Sequence, residues 1–142
     1  MAQRWAEQMA RTGKLEHSPA ETRHYGRQTL GENYAAFFQS ELTGCEHDVV
    51  PMFLTRLLLF CLVLGEKMVR KWIKEGRRYN FGYDGRKDTE NFTQLVWQST
   101  QEIGVGRARS EDDNWSYGVV VFNPPGNIPN EYSNNVLLVP KR

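Results

Sequence analysis

The chain opens with an amphipathic helical pattern. Small and apolar side chains recur at i, i+3, i+4, i+7 and i+8, which places them on one helical face: Ala2, Trp5, Ala6, Met9 and Ala10. Thr12-Gly13 is typical of a helix end, so the pattern predicts a helix over residues 2–12. No capping residue precedes this helix. We therefore expect that an element upstream of it is missing.

The later elements are a mixture of helices and strands. The pattern of residues 66–75 predicts a second helix, with Met68, Val69, Trp72 and Ile73 facing inward. A third helix is predicted to contain Phe92, Leu95 and Val96. Two strands are predicted over 103–108 and 115–122, joined by a polar turn, and the prolines at 124 and 125 predict irregular backbone after them. Residues 14–44 are polar and mixed, and the most distinctive stretch among them is residues 31–36. The pattern is that of an α+β domain.

Residues 45–65 differ in composition from their surroundings. From Val49 to Leu64 the segment is apolar, apart from Pro51, Thr55 and Arg56. A membrane span needs about 20 apolar residues, and a central arginine costs roughly 2.5–3.5 kcal/mol on insertion. The pattern therefore favours a buried or aggregation-prone extra segment over a transmembrane helix.

Composition narrows the classes of function. A chain of 142 residues is enough for one domain, and its net charge of +1 gives no case for nucleic-acid binding. Two cysteines are fewer than a small secreted domain usually carries, which favours a reducing compartment. The first residues do not form a signal peptide, and Ala2 stands where myristoylation requires glycine.

Four stretches in order carry a family resemblance. They are the Gly-Glu-Asn at 31–33, the Trp-Ile-Lys-Glu at 72–75, ENFTQLVW at 90–97 and FNPPGN at 122–127. Together they resemble the CAP superfamily (SCP/TAPS: cysteine-rich secretory, antigen 5 and pathogenesis-related proteins). His17-Ser18-Pro19 and Asn135-Val136-Leu137 resemble its Golgi-associated, pathogenesis-related branch. The resemblance implies one CAP/SCP domain over residues 1–142, folded as an α-β-α sandwich.

The chain departs from the family pattern in two places. The family begins with an additional helix that is absent here, which implies an N-terminally truncated domain. Joining Gly44 to Glu66 restores the family's spacing to the Trp72 helix, so residues 45–65 are interpreted as an apolar insertion. We expect a chain without them to be more soluble and more stable.

The resemblance also implies a cleft built from two histidines and two glutamates. Carried over one by one, these positions fall on His17, Glu32, Glu75 and Asn91, so one imidazole is replaced by an amide. No catalytic residue is assigned. His17, Glu32 and Glu75 are the candidates for a zinc site, because zinc accepts nitrogen and oxygen ligands whereas an amide oxygen is a poor ligand. Otherwise no cofactor is expected.

A basic side is predicted on the second helix. It comprises Lys67, Arg70, Lys71, Lys74 and Arg78, and such a helix docks on anionic lipid or simply presents a solvated face.

From these features we expect a non-enzymatic module that binds a lipid, a sterol or a protein partner, with an anionic membrane surface and a homodimer among the candidate partners and no nucleic acid. The alternative is a metal-dependent hydrolase that uses His17 and the cleft carboxylates. The composition favours an intracellular peripheral membrane location of the Golgi type, whereas the wider family resemblance implies the extracellular space.

Overall fold

The computed structural model describes residues 1–42, 54–82 and 87–137. Its helices are α1 (Ala2–Thr12), α2 (Gln39–Leu42), α3 (Leu54–Glu75), α4 (Glu90–Leu95) and α5 (Tyr132–Asn135). Its strands are β1 (His24–Tyr25), β2 (Gln28–Thr29), β3 (Gly31–Phe38), β4 (Glu102–Arg109) and β5 (Trp115–Asn123). Short 3₁₀ turns cover Ala20–Thr22, Gly76–Arg78 and Lys87–Thr89. These elements form an α+β fold, the α-β-α sandwich that the family resemblance implied.

The centre of the fold is a three-stranded antiparallel sheet in the order β3-β5-β4. Strand β5 is in the middle. Its Val121 is opposite Glu32 of β3 on one side and opposite Gly104 of β4 on the other. Strands β1 and β2 form a separate two-stranded hairpin. The predicted strands over 103–108 and 115–122 are confirmed; β4 is one residue longer at each end, and β5 is one residue longer at its C-terminal end.

Helix α1 covers one face of the sheet. Its buried stripe packs on the β5 side chains that point to that face; the cluster consists of Ala2, Ala6, Met9, Ala10, Leu30, Tyr117, Val119 and Val121. The backbone of Ala2 and Gln3 lies so close to Gly106 that a Cβ at that position would stand 2.2 Å from it. Gly13 ends the helix in the left-handed conformation, at φ 68°, as the sequence predicted.

Helix α3 covers the opposite face. Leu64, Met68 and Trp72, spaced by four residues, pack against Ala35 and Phe37 of β3 and complete a second core cluster. Trp97 is buried in a third cluster with Tyr79, Tyr132 and Val136. Trp72 and Trp97 are therefore both core residues, which confirms the inward position predicted for Trp72.

The helix α3 differs from its prediction in two ways. It begins at Leu54 rather than near residue 66, so its first part runs through residues interpreted as an insertion, and Leu64 in that part is only 2% exposed. Val69 and Ile73, predicted to face inward, are 38% and 52% exposed. The buried stripe of the helix is narrower than predicted, since the helix contacts the sheet through one row of side chains. Residues 45–53 of the predicted insertion lie outside the described residues.

No helix within the described ranges is both long enough and apolar enough to cross a membrane.

Candidate functional site

The carboxylate of Glu32 is the centre of a buried polar cluster. Strand β3 places its side chain, which is 1% exposed, beside the loop that follows α1. The carboxylate lies 2.9 Å from His17 Nδ1 and accepts hydrogen bonds from the backbone N–H of Ser18 at 2.9 Å and from its hydroxyl at 2.6 Å. Arg23 donates to the same carboxylate at 2.9 Å. Four donors therefore surround one carboxyl group.

The protonation of Glu32 follows from these contacts. Burial alone would raise its pKa, but the hydrogen bonds from His17 and Ser18 and the charge of Arg23 outweigh burial and lower the pKa of Glu32 below its ordinary value near 4.5. The group is therefore ionised at neutral pH. An ionised carboxylate has acceptors only, so His17 Nδ1 carries the hydrogen of their contact.

This cluster predicts a pH dependence of stability. Because the folded pKa of Glu32 is depressed, its stabilising contribution is present above the unfolded pKa near 4.5 and is lost as the pH falls through the folded pKa. We expect the unfolding midpoint in urea to decrease below about pH 4.5, and to decrease less steeply in the Glu32→Gln variant. Urea titrations between neutral and acidic pH measure this. Parallel curves for the two proteins would contradict it.

A second pair joins α3 to α4. Asn91 Nδ2 donates to Glu75 Oε1 at 3.0 Å, and the backbone N–H of Phe92 donates to Glu75 Oε2 at 3.2 Å. Glu75 thus accepts from the first turn of α4, where backbone N–H groups lack helical partners. Asn33 holds the same turn from the sheet by donating to the backbone oxygen of Asn91 at 2.8 Å.

The structure brings the four predicted site residues into two separate pairs. Glu32 and Asn33 are consecutive in β3, so their side chains leave opposite faces of the sheet. The His17–Glu32 pair lies towards the α1 face. The Asn91–Glu75 pair is linked to the opposite face by the hydrogen bond from Asn33 to the backbone of Asn91. No hydrogen bond between described residues joins the two pairs directly. A ligand-binding role for these four residues stays a prediction.

The described residues do not fit a zinc ion. Within the described ranges, no three His, Cys, Asp or Glu side chains lie close enough together to hold a metal. The oxygens of Glu32 already accept four hydrogen bonds, one of them from a guanidinium that would repel a cation. Glu75 is engaged by α4. In the described part of the chain, the fold therefore does not assemble the candidate zinc set of His17, Glu32 and Glu75.

His17 has a partial resemblance to a catalytic base. Its side chain is 54% exposed, Glu32 orients its ring, and Tyr34 packs edge-on at 4.6 Å between ring centroids. A base of this kind needs a nucleophile within hydrogen-bond reach. In the described part of the chain, His17 forms no hydrogen bond with a hydroxyl or thiol group. The hydrolase alternative gains no support from this geometry.

The sequence missed three members of these clusters. Ser18 could have been suspected because it follows His17, and Asn33 because it belongs to the Gly-Glu-Asn motif. Arg23 gave no signal, since an arginine in a polar stretch is usually solvated. Only the folded chain brings its guanidinium onto Glu32.

Basic side chains of α3 line an open groove of about 500 Å³ beside β3 and α2. Its lining consists of Phe37, Glu41, Glu66, Lys67, Arg70, Lys71 and Lys74. Lys71 Nζ lies 5.5 Å from the centre of the Phe37 ring, and Arg70 pairs with Glu66 at 2.7 Å. Within the described residues, no carboxylate pairs with Lys67 or Lys74.

Arg78 does not belong to this groove. It lies in the 3₁₀ turn after α3, and its guanidinium donates to the backbone oxygen of Asp88 at 3.1 Å. The predicted basic side is therefore reduced to the lysines and arginine of α3: Lys67, Arg70, Lys71 and Lys74.

A family model and two related proteins all point to the same protein family. The model of the cysteine-rich secretory protein family (CAP) matches residues 1–123. The human Golgi-associated plant pathogenesis-related protein 1 is 31% identical over 139 residues, which cover 96% of this chain and 73% of the relative. Venom allergen 5 of Vespa velutina is 38% identical over 68 residues, which cover 45% of this chain and 34% of the allergen.

A solved structure supports the same fold. The structure of BmVAL-1 matches with a TM-score of 0.59 and 22% identity, over 89% of this chain and 55% of that chain. The matched part of the chain thus covers about half the length of that protein and about a third of the venom allergen. At this identity the structural match bears on the fold alone.

Proposed function

The chain belongs to the cysteine-rich secretory protein (CAP) family, and on this premise we propose that it is a non-enzymatic binding module that docks on anionic lipid surfaces through the basic side of α3. The basic side comprises Lys67, Arg70, Lys71 and Lys74. The observation that supports the proposal is their common groove, in which Lys67 and Lys74 have no carboxylate partner among the described residues.

The charges in the groove favour an anionic ligand. Glu66 offsets Arg70, with which it pairs, and Glu41 accepts the backbone N–H of Phe38 at 2.8 Å. Three lysines remain against one further carboxylate. A basic residue near an anionic membrane contributes about 1 kcal/mol of binding free energy, and two unpaired lysines therefore contribute about 2 kcal/mol.

The proposed location is the surface of an intracellular membrane. The name of the human relative associates that protein with the Golgi, and this chain carries few cysteines, as cytosol-facing proteins do. The lysine groove alone is sufficient for docking on anionic phospholipid. A sterol would need an apolar pocket in addition, and a protein partner would need a second binding surface. The proposal therefore commits to anionic phospholipid.

The test is vesicle binding by a charge-neutralised variant. We expect Lys67→Gln/Lys74→Gln to bind vesicles of phosphatidylcholine and phosphatidylserine about thirtyfold more weakly than the parent chain, since about 2 kcal/mol is lost. Binding is measured by co-sedimentation over a range of salt concentrations, and the parent's affinity should decrease with salt as screening shortens the electrostatic range.

The matched control is Arg4→Gln/Lys14→Gln, which removes the same charge from exposed positions in and after α1, on the other face of the sheet. Its vesicle affinity should remain close to that of the parent. If both double variants lose affinity equally, net charge rather than the basic side controls binding, and the proposed site is wrong.

A further inference from the structure

The outward surface of α3 carries aliphatic side chains beside its basic ones. Val69 and Ile73 are 38% and 52% exposed, and they lie one helical turn apart, about 6 Å along the axis. Arg70 and Lys74 follow them directly in sequence. Each aliphatic residue is therefore next to a basic residue on the same turn of the helix.

The packing of α3 determines the direction of this mixed surface. Leu64, Met68 and Trp72 point to the sheet. Successive helical residues are about 100° apart, so Ile73 is rotated away from Trp72 and the core, towards solvent. The aliphatic pair lies along one edge of the exposed surface, and the lysines of the groove lie along the other.

We propose that Val69 and Ile73 insert into the headgroup and upper acyl region of the bilayer when the basic side docks, so that α3 binds as an interfacial helix. This inference rests on the proposed function and adds an apolar component to it. Aliphatic side chains on one edge and long basic side chains on the other are the arrangement by which helices lie in a membrane interface. The lysine and arginine stems extend along the apolar layer while their charges remain among the phosphates.

A bilayer fits this surface better than a protein partner does. Protein interfaces are depleted in lysine and concentrate their apolar area in a central core. Here three lysines and an arginine share the exposed surface of α3 with only two aliphatic residues, which lie along its other edge. The same composition matches an anionic headgroup layer, which supplies phosphates for the basic edge and hydrocarbon below them for the aliphatic edge.

The test removes the aliphatic edge while leaving every charge in place. We expect Val69→Gln/Ile73→Gln to bind phosphatidylcholine–phosphatidylserine vesicles about tenfold more weakly than the parent, because less apolar surface leaves water on docking. At about 1 M salt, where the screening length is about 3 Å, the parent should keep weak residual binding that this variant loses. The variant should also have a lower maximum insertion pressure in lipid monolayers.

Two further variants make the result specific. Ile73→Gln alone should lose part of the affinity, whereas Leu15→Gln should lose none, since Leu15 is 46% exposed but follows α1 on the other face of the sheet. Circular dichroism verifies that each variant is folded.

The outcomes separate this inference from the function on which it rests. Suppose that Lys67→Gln/Lys74→Gln weakens binding but Val69→Gln/Ile73→Gln binds and inserts like the parent. Docking is then purely electrostatic, and the proposed membrane insertion of Val69 and Ile73 is wrong. If the folded parent does not bind anionic vesicles at all, the proposed function itself fails.

Discussion

Replacing Glu32 with glutamine is expected to lower the free energy of unfolding by about 3 kcal/mol. The side chain of Glu32 is 1% exposed, its carboxylate accepts four hydrogen bonds, and one donor is the guanidinium of Arg23. An amide keeps the shape of the side chain but removes the charge and turns one acceptor into a donor. Arg23 would then be a largely buried cation without a counter-charge. Urea unfolding at neutral pH measures the loss.

The matched control is Glu21→Gln in the adjacent 3₁₀ turn. Glu21 is exposed and carries the same charge, but it has no hydrogen-bond partner among the described residues. Its loss should be below about 0.5 kcal/mol. If the two variants unfold at the same urea concentration, the Glu32 cluster contributes nothing beyond an exposed carboxylate, and its role as the anchor of the loop after α1 is wrong.

Replacing Leu64 with alanine is expected to cost about 3 kcal/mol. Leu64 is 2% exposed and packs with Met68 and Trp72 against β3, and a Cβ on Gly118 would lie 3.6 Å from its Cδ2. Removal of its methyl groups leaves a cavity that a rigid sheet cannot close. The measurement is the urea concentration at which half of the protein is unfolded. It is compared between proteins whose free energy of unfolding decreases with urea at the same rate. The exposed Leu15→Ala serves as the control, with an expected loss below about 0.5 kcal/mol.

The Leu64 result bears on the interpretation of residues 45–65. A foreign insertion should contribute little to the core, and equal losses for Leu64→Ala and Leu15→Ala would agree with that reading. A loss of about 3 kcal/mol for Leu64→Ala alone would show that the last part of the segment belongs to the fold. The expected gain in stability from deleting residues 45–65 would then be offset by the loss of this leucine.

Local patterns in the sequence determined several elements without help from the fold. The apolar stripe and Gly13 predicted α1 and its end, because both depend on neighbours within one or two helical turns. The strand-like runs at 103–108 and 115–122, separated by a polar turn, predicted β4 and β5. The four motifs were enough to predict the family and its α-β-α architecture.

Strand β3 could not be predicted from its pattern. Its Tyr34 and Ala36 pack towards α1, whereas Ala35 and Phe37 pack towards α3, so both of its faces are covered and no polar–apolar alternation remains. The polar residues Glu32 and Asn33 are buried as well. A strand covered on both faces loses the period of two that identifies an exposed sheet.

The sequence by itself determined the family, the helix α1, the strands β4 and β5 and the types of side chain at the predicted site. Only the tertiary structure decided how those side chains pair: Glu32 with His17 and Arg23, and Glu75 with Asn91. It also decided that Val69 and Ile73 face solvent. The physical reason is that helical and strand periods depend on near neighbours, whereas burial and ionic partners depend on residues far away along the chain.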